Sequence, residues 1–319
     1  MERKQVFVTR RIPEAGIRKL KEFFEVQVSP FDRNLSRDEI VEMAAGAEGL
    51  VSMAGDPLDR ALIDRLTGVR IIANYAVGFD NIDTAYAAQR DIAVTNTPDV
   101  LTQATADIAT VLILCVARRV VEGDRLVRSG EFKGVYPTFF LGVELENKIL
   151  GIYGMGRIGR AVAKKALAFG LKIIYHDKIP YDAESIGVSA EYVSFDELLA
   201  ESDFVSVHAP LTAETHHRFT RKEFQRMKNS AYFINTARGP LVKEDDLVSA
   251  LKQGWIAGAG LDVYEYEPKV HPGLITLDNA VLLPHIGSAA AEVREKMAFV
   301  VADNLIAYLK GETPPNRVN

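Results

Sequence analysis

The sequence predicts an α/β protein made of two doubly wound parallel sheets. Three observations carry this reading. Strand-like and helix-like segments alternate along the 319 residues, as they do when crossover helices join parallel strands. A breaker cluster, Asn96-Thr97-Pro98-Asp99, interrupts the series, and a second strand–helix series starts at Ile149. A chain of this length with 48% apolar side chains also has material for more than one core.

The elements follow in order. Val6-Phe7-Val8-Thr9 is short, apolar and β-branched. Pro13 opens a helical pattern through Ile17, Leu20, Phe23 and Phe24. Val26-Gln27-Val28 reads as a strand, and Ser36 as the N-cap of a helix from Arg37 to Ala44. Gly49-Leu50-Val51-Ser52 is the next strand, with a helix near Leu58 to Leu66 after it. Val69 to Ala73 and Ile92 to Thr95 complete a flavodoxin-like first domain. One long helix is expected from Thr102 to Arg128, stopped by Ser129-Gly130. The last segment, Ser288 to Leu309, carries a helical stripe at Val293, Met297, Val300, Leu305 and Tyr308. Periodicity does not say which domain that stripe packs on.

Composition excludes several classes. The net charge is −5 and no run of like charges stands out, so nothing advertises nucleic acid or an anionic membrane. The N-terminus has no apolar signal core, and no apolar run reaches the ~18 residues of a membrane helix. The single cysteine, Cys115, lies in the apolar stretch Val111 to Val116, which reads as a buried helix face. It excludes an intrachain disulfide and fits a reducing compartment. A soluble, cytoplasmic protein is expected. No His, Cys or Asp set has zinc-site spacing, so no metal is expected. The absence of G-x-S-x-G argues against a hydrolase.

The most informative stretch is Gly151-Ile152-Tyr153-Gly154-Met155-Gly156-Arg157-Ile158-Gly159. It follows an apolar strand and opens an alanine-rich helix that ends at Gly170. A second strand, Lys172 to Tyr175, comes next, and Asp177 sits just past it. In such a unit Gly154 allows a tight turn, Gly156 lets a pyrophosphate approach the backbone, and Gly159 lets helix and strand pack closely. The helix N-terminus offers N–H groups and a partial positive charge to phosphates. An acid about twenty residues on accepts hydrogen bonds from ribose hydroxyls and repels a 2′-phosphate. Asp177 therefore favours NAD over NADP, although Lys178 beside it is able to pair with a phosphate.

Three further segments end apolar runs in polar residues. They are Phe233 to Gly239, containing Thr236, Ala237 and Arg238; Gly260 to Pro268, containing Asp262, Glu265 and Glu267; and Leu282 to Ser288, containing His285 and Gly287. Ligands of doubly wound sheets bind beyond the carboxyl ends of strands, so Arg238, Glu267 or Glu265, and His285 stand where chemistry is expected. A hydride added to a carbonyl carbon builds charge on the oxygen, and an imidazolium is suited to protonate it. A carboxylate on the other ring nitrogen would hold the ring and favour its charged form. A guanidinium fork suits a carboxylate and its neighbouring carbonyl oxygen. The remaining histidines carry no chemistry in this reading: His216-His217 is expected at the surface, His176 beside an adenosine pocket, and His208 at a strand end near the cofactor.

Together these segments resemble the D-isomer-specific 2-hydroxyacid dehydrogenase family, over nearly the whole chain. Asn74-Tyr75-Ala76-Val77-Gly78-Phe79-Asp80-Asn81-Ile82-Asp83 is similar to the family's substrate loop. Thr95 to Pro98, Ala104 to Asp107 and His208 to Thr212 also match expected stretches. Within the family the chain looks closest to glyoxylate/hydroxypyruvate reductases. Asp107 departs from the pattern, where glutamate is more usual.

The resemblance implies a substrate domain of residues 1–98 plus 287–319 and a Rossmann dinucleotide domain of residues 99–286, with a cleft between them. It implies a homodimer built around the helix starting near Thr102. It implies His285 as proton donor, Glu267, directly before Pro268, as its partner, and Arg238 as substrate clamp. Val77 and Gly78, with Arg238 and His285, would bind the substrate. Thr105, Gly154, Met155, Gly156, Arg157, Ile158, Gly159, Asp177, Ala209, Pro210, Thr236, Ala237, Arg238, Asp262, His285 and Gly287 would line the cofactor. Ser52, Met53, Phe79, Phe139, Phe140 and Leu141 are candidates for the substrate side-chain pocket. The expected activity is hydride transfer between NAD(H) and C2 of a small 2-keto or D-2-hydroxy acid. The chief alternative is an NAD-sensing dimeric regulator on the same scaffold, of which the chain lacks the long polar tails. A Rossmann methyltransferase leaves Arg238, Glu267 and His285 unexplained. A phosphoglycerate dehydrogenase with a regulatory tail would be longer, and a phosphite-type enzyme would carry lysine where Val77 stands.

Overall fold

In the computed structural model, which describes residues 3–319, the chain divides into two compact units. One runs through Leu101 and takes up the chain again at Ser288–Asn319; the other is Thr102–Gly287. No described helix is long and apolar enough to cross a membrane.

The first unit holds a five-stranded sheet: β1 (Gln5–Val8), β2 (Glu25–Val28), β3 (Gly49–Ser52), β4 (Ile71–Asn74) and β5 (Ala93–Thr95). Its order is β2-β1-β3-β4-β5, and every pairing is parallel. Strands β3, β4 and β5 are buried on both faces, so their sequences are continuous apolar or small runs rather than alternating ones. Ser36 caps the helix Arg37–Met43 in a full capping box with Glu39.

The C-terminal helix Ala291–Leu309 packs on the helix Glu14–Phe23 of this unit. The large apolar stripe of the sequence is off by a position. Met297 and Leu305 are buried, but so are Ala298, Val301 and Ala302, while Val293, Val300 and Tyr308 are only half-buried. The cause is close approach: a Cβ on Gly16 would stand 2.6 Å from the Ala298 Cβ, and one on Gly49 2.8 Å from Leu305. Small residues mark the contact together with Met297, Val301 and Leu305.

The second unit holds seven parallel strands: β6 (Ile149–Tyr153), β7 (Lys172–His176), β8 (Glu191–Tyr192), β9 (Phe204–Val207), β10 (Tyr232–Asn235), β11 (Gly258–Leu261) and β12 (Ala280–Leu282). The order β12-β11-β10-β9-β6-β7-β8 reverses direction between β6 and β9. That reversal opens a crevice at the strand ends, the usual ligand position in such sheets. The helix Thr102–Arg118 lies against β10 and β11, where Gly260 sits so near Leu112 that an added Cβ would be 3.0 Å from the Leu112 Cβ.

The single long helix expected from Thr102 to Arg128 is in fact two, Thr102–Arg118 and Val120–Arg128. Arg119 takes a left-handed φ of 54° between them. The Val143 N–H donates to the Ala117 carbonyl at 2.7 Å, taking an acceptor that a continuing helix would need. The Arg119 guanidinium turns to Glu122, with Nε to Oε2 at 2.8 Å, and lies 4.1 Å from the Phe140 ring centroid. The partner that breaks the helix is distant in sequence and invisible to periodicity.

Candidate active site

The glycine turn follows β6. Gly154 has φ +98°, and a Cβ there would come within 2.7 Å of the Ala209 nitrogen and 2.8 Å of the His208 carbonyl carbon. Only glycine fits both the torsion and the space. A Cβ on Gly159 would be 2.2 Å from the Gly154 carbonyl oxygen, so turn and helix are in backbone contact. Gly156 meets nothing within 4 Å. It is the N-cap of the helix Arg157–Leu167, whose first turn no side chain caps. The open space and the uncapped N–H groups fit the pyrophosphate of a dinucleotide.

Asp177 stands just past β7, but its oxygens are already engaged. Oδ2 accepts from the Met155 N–H and Oδ1 from the Lys178 N–H, each at 2.7 Å. The carboxylate thus braces the glycine turn from the side, and each oxygen keeps a second lone pair for a ribose hydroxyl. Lys178 pairs with Glu214 at 2.8 Å, which places a further acid beside this rim. Two buried polar atoms at neighbouring strand ends, Thr236 Oγ1 and His208 Nδ1, have no hydrogen-bond partner, a feature expected where a polar ligand belongs. Burial pushes the His208 imidazole down to about 3; its Nε2 lies 2.8 Å from Ser206 Oγ. A ring neutral at working pH is no proton donor. His176 contacts the Val193 carbonyl at 3.0 Å and stacks between Tyr153 and Tyr192.

Arg238 follows β10. Asn235, which no sequence pattern marks, shapes its loop: Oδ1 accepts from the Ala237 N–H at 3.0 Å and Nδ2 donates to the Arg238 carbonyl at 2.9 Å. The half-buried guanidinium also donates to the Ala237 carbonyl at 2.8 Å.

His285 follows β12, and its Nδ1 lies 2.7 Å from Glu267 Oε2. Burial pushes the Glu267 carboxyl up, but the hydrogen bond and charge of His285, with the Tyr264 N–H on Oε1 at 2.9 Å, outweigh it and hold the group below the ordinary carboxylate range. His285 has φ +54°, costly for a non-glycine residue. Asp262 secures that torsion: its two oxygens accept from the Ile286 and Gly287 N–H groups, both at 2.7 Å. Gly287 allows the approach, since a Cβ there would be 3.1 Å from Asp262 Oδ2. The Asp262 side chain is buried, and burial pushes its carboxyl up despite those two donors. Tyr264 spans to the other side of the loop, its hydroxyl donating to the Leu283 carbonyl at 2.8 Å; burial lifts the phenol to about 12.

The choice between the two neighbouring acids is visible in their partners. Glu267 meets His285, whereas Glu265 Oε1 lies 2.7 Å from His217 Nε2. Glu265 and Glu244 also exchange bonds, each backbone N–H donating to the other's carboxylate, at 2.8 and 2.9 Å. Burial pushes the Glu244 carboxyl up. His217 is therefore half-buried and paired, not a surface residue; His216 is exposed.

In the first unit, the loop after β4 is set by carboxamides. Asn96 Nδ2 donates to the Val77 carbonyl and Asn74 Nδ2 to the Gly78 carbonyl, each at 2.8 Å, and the Thr97 N–H donates to the Ala76 carbonyl at 2.9 Å. In a trans peptide the N–H points opposite the C=O, so the amides of Val77, Gly78 and Phe79 are turned away from these three partners. Nothing local in the sequence gives Asn74 and Asn96 this role. Ser52 is fully buried and donates to Asn74 Oδ1 at 3.1 Å, so it supports the loop and does not line a pocket. A cavity of about 240 Å³ lies at the opposite, amino end of β10 and β12, beside Cys115, Arg119 and Tyr232. Within the second unit it lies at the other end of the strands from Arg238 and His285. Burial pushes the Cys115 thiol up, away from reactivity.

Known proteins resemble this chain throughout. Residues 110–287 match the D-isomer specific 2-hydroxyacid dehydrogenase, NAD binding domain. The glyoxylate reductase of Thermococcus litoralis is 52% identical over 99% of this chain and 96% of its own length. That of Pyrococcus furiosus is 49% identical over 99% and 95%. Among solved structures, a glyoxylate reductase from Paecilomyes thermophila superposes with a TM-score of 0.90 at 35% identity, covering 100% of this chain and 99% of the other. An NADPH-dependent glyoxylate/hydroxypyruvate reductase from Sinorhizobium meliloti gives 0.89 at 33%, covering 99% and 97%. With matches of this extent, the chain belongs to the D-isomer-specific 2-hydroxyacid dehydrogenase family.

Proposed function

We propose that the protein reduces glyoxylate or hydroxypyruvate with NADH. The single observation that carries the chemistry is the His285–Glu267 pair at 2.7 Å, on the same end of the sheet as Arg238 and the glycine turn. Bound NADH supplies the hydride. The Arg238 guanidinium holds the keto acid through its carboxylate and carbonyl oxygens and stabilises the growing negative charge. His285 Nε2 delivers the proton to that oxygen, while Glu267 on Nδ1 keeps the ring oriented and balances its charge. The backbone amides of Val77 and Gly78 hold the substrate carboxylate in this reading. Reduction takes up one proton, so it starts from the protonated ring, and oxidation of the hydroxy acid starts from the neutral one. NADH consumption with glyoxylate, hydroxypyruvate and pyruvate tests the proposal: turnover of the first two is expected, and no turnover of any of the three overturns it. The regulatory alternative is not favoured, because the relatives are named as reductases.

NAD is the preferred dinucleotide in this reading, because an acid just past the second strand of the glycine motif, here Asp177, repels a 2′-phosphate, and Lys178 beside it is already paired with Glu214. Asp177→Ala is expected to shift the NADH/NADPH ratio of kcat/KM toward NADPH by on the order of tenfold, the value of one charge-assisted hydrogen bond. An unchanged ratio removes Asp177 from that role.

The protein is also proposed to be a homodimer. Val127, Val135 and Leu141 are 61%, 85% and 64% exposed, and Val120, Phe132 and Tyr136 add to the same stretch. An apolar surface of this kind is expected to be covered. Light scattering should give twice the 35.2 kDa chain mass; a monomer at working concentration contradicts it. One unpaired thiol, and no described helix long and apolar enough to cross a membrane, are compatible with a cytoplasmic location.

A further inference from the structure

The loop bearing Arg238 and the loop bearing Glu267 touch. A Cβ on Gly239 would lie 1.8 Å from the Tyr264 carbonyl oxygen and 2.5 Å from the Glu265 nitrogen, so the two backbones are in direct contact. Van der Waals contact alone leaves such loops free to slide. Glu265 supplies directional bonds at this seam. Its Oε2 accepts from the Glu244 N–H at 2.9 Å, its own N–H donates to Glu244 Oε1 at 2.8 Å, and its Oε1 meets His217 Nε2 at 2.7 Å. Glu244 begins the helix Glu244–Lys252, whose N-cap, Lys243, makes no side-chain cap bond. The Glu265 carboxylate therefore also serves the positive end of that helix.

His217 extends the link back to the Arg238 loop. Its N–H donates to the Pro240 carbonyl at 2.8 Å, two residues past Arg238. The Phe219 N–H then donates to Leu241 and the Lys243 N–H to Phe219, each at 3.0 Å. On the other side of the seam, the Tyr264 N–H, one residue before Glu265, holds Glu267 Oε1. The Glu265 side chain is only 7% exposed, so these bonds are shielded from competing water.

We propose that Glu265 is a positioning residue, locking the Arg238 loop against the Glu267 loop through His217 and the backbone of Glu244. It touches neither substrate nor cofactor in this account. The inference rests on the keto-acid reading for its kinetic consequence, but the lock itself is a property of the two loops. Displacing reacting groups by about 1 Å costs on the order of 10²-fold in rate, which sets the scale expected.

The test compares wild type, Glu265→Ala, the milder Glu265→Gln, His217→Leu and His217→Gln. Kinetic constants are expressed per NADH-binding site, which removes any unfolded fraction. Glu265→Ala is expected to lower kcat/KM for glyoxylate by about 10–100-fold, raising KM and lowering kcat together, with NADH affinity within about twofold of wild type. His217→Leu should show a smaller loss, and His217→Gln should recover most of it, because its amide again donates to Glu265. Amide hydrogen exchange provides a second readout: faster exchange is expected in 236–244 and 262–268 of Glu265→Ala and Glu265→Gln, with the β6 to β9 core unchanged. Unchanged exchange in those two segments overturns the proposal. So does a lowered Tm with per-site kcat and KM untouched, the result of a purely structural role. A wild type that reduces no keto acid instead sinks the functional reading, and the exchange measurement still decides this one.

Discussion

Both units gather polar residues at the carboxyl ends of their parallel strands, yet they build those loops from different chemistry. Beyond β4 and β5 in the first unit, neutral carboxamides do the work: Asn74 and Asn96 hold the Gly78 and Val77 carbonyls, and Ser52 backs Asn74. Beyond β10, β11 and β12 in the second unit, ionisable groups dominate: Arg238, Asp262, Glu267 and His285. In the proposed reading the two carboxamides fix carbonyls so that the Val77 and Gly78 amides face an anion, with Asp80 and Asp99 in the same loops but on neither of those carbonyls. A loop that must move a proton needs titratable groups, and each needs a partner to fix its place. Hence Asp262 secures the left-handed His285, and Glu267 occupies its Nδ1. The difference teaches that parallel-sheet architecture supplies the position and leaves the chemistry to side chains.

That contrast predicts unequal costs. His285→Ala removes the only proton donor in the account and should lower kcat by about 10²–10⁴, read from NADH consumption with glyoxylate. Near-normal turnover would dismiss His285. Arg238→Ala should follow, at about 10²–10³ in kcat with weaker keto-acid binding; survival of both rate and affinity would make Arg238 a bystander. Asn74→Ala frees the Gly78 carbonyl but removes no charge, so it should raise the keto-acid KM by on the order of tenfold, one buried hydrogen bond's worth, with kcat little changed. If kcat fell as far as in Arg238→Ala, the division between presenting and reacting loops would fail.

The smallest effect concerns stability. The His208 imidazole is depressed from 6.5 to about 3 in the fold. Between those values the unfolded chain binds the proton and the folded one does not. Stability therefore declines as pH falls below 6.5, by up to about 1.4 kcal/mol per pH unit from this group. Thermal melts from pH 7 to pH 5 should show His208→Gln losing less than wild type. Parallel losses would remove His208 as a source of acid sensitivity.

Much of this was readable in the sequence, for local reasons. The glycine turn announces itself because torsion, close approach and helix start fall within six residues, Gly154 to Gly159. Arg238, Asp262 and His285 stand directly after apolar strands, where an ionisable residue is conspicuous. What was not readable depends on partners far along the chain. Asn235 looks like any strand-end polar residue until its two bonds are seen. Asn74 and Asn96 lie 22 residues apart by number, and only the β4–β5 pairing brings their loops together. The break at Arg119 requires Val143, and the true face of the last helix is set by Gly16 and Gly49. Glu265 and Glu267 share a tripeptide, and composition cannot tell which meets the histidine.

In the proposed mechanism an imidazole and a guanidinium of the second unit act on one substrate oxygen. A crystal structure with NADH and oxamate, a keto-acid mimic, shows whether they do. His285 Nε2 and the Arg238 guanidinium are both expected within hydrogen-bonding distance of the oxamate carbonyl oxygen, with Glu267 still on Nδ1. Oxamate bound with either side chain turned away from that oxygen would contradict it.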